Sequence, residues 1–113
     1  MSQRIVCELK TIPDFNQFVK DNKYVIIKGT ASWCGPCQRI KPLFIQLINE
    51  MPIQVAVVVV DITASPLLKR FLKIDSVPYI MNYICGEKQD VINTSHPEAI
   101  RNFFGKTAQR VKR

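Results

Sequence analysis

Cys34 and Cys37, separated by two residues, are the part of this 113-residue chain best equipped for chemistry. A disulfide exchange centre needs two thiols close enough to bond, one of them readily ionised, because the thiolate is the nucleophile. An apolar stripe of Ile40, Leu43, Phe44, Leu47, Ile48 and Met51 follows the pair at helical spacing. Cys34 is therefore expected at a helix N-terminus, where free N–H groups and the helix dipole favour negative charge. Cysteines in such C-x-x-C pairs show pKa values of roughly 3.5–7, against about 8.5 for an ordinary thiol. Pro36 lacks an N–H and suits the first turn, and Gly35 removes bulk beside the attacking sulfur. The expected roles are Cys34 as nucleophile on a substrate disulfide and Cys37 as the thiol that resolves the mixed disulfide. Trp33 should flank the pair as an apolar contact surface.

The competing use of C-x-x-C is half of a zinc site. Zinc wants four ligands, usually a second such pair or two histidines. The chain has one histidine, His96, and its other cysteines, Cys7 and Cys85, stand alone. No metal site is expected. Four cysteines are also too few for a disulfide scaffold. Cys7 and Cys85 are expected to be small buried core residues.

The elements that must hold the pair follow from periodicity. The Ile5–Lys10 stretch alternates as a short strand, and Thr11 with Asp14 resembles a capping box before a helix from about Pro13 to Asn22. Tyr24–Thr30 reads as a strand buried on both faces, and Ala31, Ser32 and Trp33 turn into Cys34. Pro42 should kink the helix that follows, and Pro52 closes it. A second buried strand spans Gln54–Asp61. Ser65 and Pro66 open a helix carrying Leu67, Leu68, Phe71 and Leu72. Tyr79–Cys85 and Gln89–Asn93 form a hairpin about Gly86. Ser95 with Glu98 makes a second capping box before a last helix with Ile100, Phe103, Phe104 and Val111. The phenylalanines are all expected in the core. Strands alternating with helices imply parallel crossovers, and the late hairpin adds an antiparallel edge. The expected architecture is α/β: a mixed sheet of about five strands with four helices on both faces, forming one domain over residues 1–113.

The formal net charge is +7, and from Arg101 onward there are five basic residues and no acidic one. A basic C-terminal tail over about 106–113 reads as a solvated helix face, since base-stacking aromatics do not alternate with its charges. Contact with nucleic acid or another polyanion is the less favoured reading. No apolar run reaches the roughly 18–20 residues needed to cross a bilayer, and the first residues do not resemble a signal peptide. A cytoplasmic protein without a membrane partner is the expectation.

With these residues in view, the chain resembles the thioredoxin family. Trp33-Cys34-Gly35-Pro36-Cys37 matches that family's active-site motif in full, Pro42 its kinking proline, Asp61 the end of its third strand, Val77-Pro78 its cis-proline loop and Gly86 its late hairpin. The resemblance covers roughly Val6 to Phe104. It implies the thioredoxin fold, a cis peptide at Val77-Pro78 facing Cys34, and substrate contact at Trp33, Gly35, Pro36, Val77 and Pro78. It also implies electrons carried by the two cysteines alone, without a bound cofactor. The implied partners are protein disulfides and an electron donor of the thioredoxin-reductase type using NADPH.

The departures from the family concern the second cysteine. Lys28 stands where the family has a buried aspartate, the family's partner lysine falls at Val57, and Tyr79 replaces a usual threonine. The family's glycine after the last strand has no clear counterpart near Asn93-Thr94-Ser95. Lys28 has three readings: an ammonium that snorkels to water, a cation that lowers the pKa of Cys37, or a neutral amine that serves it as base. The leading functional expectation is a protein-disulfide reductase. The alternatives are a disulfide oxidase or isomerase tuned by Lys28, and a thioredoxin-fold structural or adaptor protein.

Overall fold

In the computed structural model, which describes residues 3–111, the chain builds five strands and four helices. In order they are β1 (Val6–Glu8), α1 (Ile12–Asp21), β2 (Tyr24–Thr30), α2 (Gly35–Glu50), β3 (Val55–Asp61), α3 (Pro66–Phe71), β4 (Tyr79–Ile84), β5 (Glu87–Ile92) and α4 (Pro97–Arg110). They form one sheet in the order β1-β3-β2-β4-β5. The first three strands are mutually parallel, and β4 runs antiparallel to both β2 and β5. This is the expected thioredoxin fold.

The central strands are apolar on both sides because helices cover both sides. One face of the sheet offers Ile26, Val55, Val57 and Ile80 to Phe44 and Ile48 of α2 and to Ile100, Phe103 and Phe104 of α4. The other offers Val25, Ile27, Val58, Val60 and Met81 to Phe15 of α1 and Leu68 of α3. Alternation along β2 therefore decides which helix each side chain meets. Lys28, two residues beyond Ile26, points to the α2 side.

Local chemistry sets several ends. Thr11 caps α1 by accepting the N–H of Asp14 at 3.2 Å, as its sequence suggests. Helix α3 is closed off two residues past its end by Lys73, which takes the left-handed conformation with φ 59°. Lys73 N–H donates to the Arg70 carbonyl and Ile74 N–H to that of Lys69, both at 3.1 Å, a Schellman arrangement. Helix α2 runs through Pro42 without interruption.

Several details depart from expectation. The Ser95–Glu98 capping box does not form: His96 occupies the cap position of α4 without a side-chain bond, and its N–H donates to Thr94 Oγ1 at 3.1 Å. Pro97 has already begun the helix, leaving Ser95 outside it. Ser65 is the cap residue of α3, yet its hydroxyl is buried without a partner. Cys85 is exposed rather than core, because it is the first of two loop residues, Cys85 and Gly86, both with positive φ. A type I′ hairpin requires that conformation and turns its residues outward. Cys7 is only partly buried, on edge strand β1. Among the phenylalanines, Phe71 lies 46% exposed on α3. The segment expected as a basic tail is helical as far as Arg110, which pairs with Asp90 at 2.7 Å. Lys112 and Arg113 lie outside the described residues.

Candidate active site

The strand-to-helix turn after β2 places Cys34 at the cap of α2 and Cys37 one turn in. The two are joined by a disulfide, with Cα atoms 5.3 Å apart. Cys34 Sγ accepts the backbone N–H of Cys37 at 3.1 Å. The Cys34 sulfur thus sits on the unsatisfied amide end of a 16-residue helix. Gly35 and Pro36 are the first two helical residues, which costs no hydrogen bond at Pro36. A Cβ on Gly35 would meet only the Arg39 guanidinium, at 3.7 Å, so the backbone beside the sulfur is open.

The pair is set into a small apolar wall. Ala31, Cys34 and Cys37 pack together, with Ile62 and Val77 against them. Val77 precedes Pro78 through a cis peptide bond. The fold therefore brings the Val77-Pro78 loop, distant in sequence, onto the cysteines. Trp33 lies beside them with 66% of its surface exposed. Its indole N–H donates to Thr63 Oγ1 at 3.0 Å. Thr63 is a site neighbour that motif reading missed. Its loop is folded by Asp61, whose Oδ1 accepts the N–H groups of Thr63 and Ala64 at 2.9 and 3.2 Å. The Asp61-x-Thr63 spacing of an Asx turn was the available signal.

Behind the disulfide lies a cavity of about 310 Å³, lined among others by Cys37, Lys28, Lys41, Glu8 and Asp61. Lys28 is 7% exposed. Its Nζ lies over the Phe44 ring, 4.7 Å from the centroid. Burial, and then the charge of Lys41, lower the Lys28 pKa from the usual lysine value. Of the three readings of Lys28, the one with its ammonium out in water does not hold. Tyr79 is buried, and burial followed by the Asp75 charge raises its hydroxyl above the ordinary tyrosine value.

The family model described as thioredoxin matches residues 6–106. This chain belongs to the thioredoxin family. A thioredoxin of Geodia cydonium is 41% identical over 81 residues, covering 70% of this chain and 76% of that one. The oxidised mitochondrial thioredoxin 3 of Saccharomyces cerevisiae superposes with a TM-score of 0.82 at 25% identity, covering 89% of this chain and 94% of the other. A bifunctional thioredoxin reductase/thioredoxin of Mycobacterium leprae is 25% identical over 83 residues, 74% of this chain and 18% of its own length. With the linked cysteines, this membership makes the protein a thiol–disulfide oxidoreductase. None of its described helices is long and apolar enough to cross a membrane.

Proposed function

We propose that the protein reduces disulfides in other proteins. The observation that carries this is Cys34 Sγ at the amide end of α2, accepting the Cys37 N–H. That placement favours a thiolate at Cys34. The thiolate attacks a substrate disulfide, forms a mixed disulfide with one sulfur and releases the other as a thiolate. Cys37 then attacks Cys34, frees the second substrate thiol and leaves the Cys34–Cys37 disulfide. Trp33, Gly35, Pro36, Val77 and Pro78 make the contact surface. The exposure of Trp33 and the packing of Val77 on the pair support that role.

The oxidised pair is returned to the dithiol by a reductase that draws on NADPH. A relative fused to a thioredoxin reductase supports such a partner. The whole chain works as one thioredoxin-like unit in the cytoplasm. Cys7 and Cys85, both left as free thiols, support a reducing compartment.

A Cys37→Ser variant tests the reading. It should accumulate protein partners as mixed disulfides through Cys34, released by dithiothreitol. A variant that captures none, while alkylation at neutral pH finds Cys34 no faster than Cys85, overturns it.

A further inference from the structure

Lys28 is the buried charge that the exchange mechanism does not use. Its stem lies on β2 between Val59 and Ile80 of the flanking strands. Its ammonium rests on the Phe44 ring. Among the described residues no carboxylate pairs with it. A buried ammonium without a counter-charge is costly, so the neighbouring groups decide what it can do.

The charged or titratable groups that share its cavity come from three elements. Glu8 of β1 is exposed, where water screens it. Asp61 of β3 commits Oδ1 to the N–H groups of Thr63 and Ala64. Lys41 of α2 is a second cation. Cys37 of α2 is 1% exposed, and in the dithiol state it can become an anion. Cys37 is therefore the buried group that lines the same cavity as Lys28 and whose charge depends on the redox state.

We propose that the Lys28 ammonium stabilises negative charge on the reduced cysteine pair through Cys37, making the Cys34–Cys37 disulfide a stronger electron acceptor than it is with a neutral residue at 28. Reduction by a dithiol partner transfers two electrons. The partner's two thiols become a disulfide and the Cys34–Cys37 bond opens. Of the two protons released, one stays on the cysteine pair and the other goes to water. The pair then carries one negative charge shared between two sulfurs, which titrate together. A nearby cation lowers the free energy of that anion and leaves the neutral disulfide untouched. The equilibrium shifts toward the reduced pair. Loss of such a charge is expected to change the exchange constant about tenfold, equivalent to about 30 mV for this two-electron couple.

This inference rests on the exchange reading and refines it. The test measures the equilibrium constant of the full chain against glutathione from pH 5 to pH 9, for wild type and Lys28→Met. Toward the acid end, as the reduced pair takes up its second proton, the two constants should draw together. They should separate as pH rises from there, with the Met variant about tenfold harder to reduce at neutral pH, where the ammonium keeps its charge. Lys28→Gln, which keeps polarity without charge, should follow Met, and Lys28→Arg should stay within twofold of wild type. Constants that coincide at every pH overturn the proposal. So does an offset independent of pH, which would mark a packing effect, or an Arg variant that behaves like Met. Trapping by Cys37→Ser is unaffected by any of these outcomes, so the exchange reading is judged separately.

Discussion

The backbone N–H of Cys37 donates to the sulfur of Cys34 across 3.1 Å, so one sulfur of the disulfide is also the cap of its helix. Serine caps at least as well as cysteine, whereas alanine leaves the amide unsatisfied. Cys34→Ala should therefore unfold at lower urea than Cys34→Ser, by about 1 kcal/mol. Both should lose turnover of disulfide substrates entirely. Equal stability of the two variants would show that the sulfur does not act as a cap.

Lys28 should weaken the fold at neutral pH. Its native pKa lies below the lysine value of 10.5, so the unfolded chain holds the proton more tightly. Stability then rises with pH between the native value and 10.5, as this penalty is relieved. Lys28→Met should be more stable than wild type by about 1–2 kcal/mol at pH 7. Urea unfolding at several pH values should show the advantage shrinking as pH climbs toward 10. An advantage that grows with pH contradicts the assignment.

A buried polar network ties β4 to β5 and α4. Asn82, fully buried, donates to Asp90 Oδ2 and Thr107 Oγ1, both at 2.8 Å, and accepts the Asp90 N–H at 2.8 Å. Asn82→Ala should cost about 2–3 kcal/mol, because it strands the partners that remain. The Arg110 hydrogen bond, against some burial and aided by Asn82, holds the Asp90 carboxyl below its ordinary 3.8. Its contribution is present above that value and is lost as pH falls through the native pKa. Acid titration of stability should be shallower in Asp90→Asn.

Lys73→Gly should stabilise the protein by about 1 kcal/mol. The residue holds φ 59°, where a Cβ is unfavourable and glycine is not. The Schellman hydrogen bonds come from the backbone and survive the change. Thermal unfolding should show the rise, with exchange activity unaltered.

Much of the fold was legible because burial on both faces leaves a plain mark. Tyr24–Thr30 is apolar in its first four residues and interrupted later by Lys28, and its strand has those limits in the structure. The pair Cys34 and Cys37 was legible for a related reason: a C-x-x-C at a strand-to-helix turn has few uses. Features that depend on one residue's conformation were not. Nothing in the type of Cys85 or Lys73 announces a positive φ. The Ser95–Glu98 spacing met the rule for a cap, but Pro97 opened the helix past it. Thr63 reaches Trp33 only through tertiary folding, and the enclosure of Lys28 depends on α2 closing over β2 with Phe44 beneath the ammonium.

The two borders of the sheet differ in how they end it. On one side β1 is three residues long. On the other, β5 carries Glu87, Lys88 and Asp90, and a register shift interrupts its pairing with β4. Brevity at one margin, with charge and irregularity at the other, are the means by which open sheets resist recruiting further strands. The chain can thus expose the surface around its disulfide without offering the flanks of its own sheet as a template for fibrils.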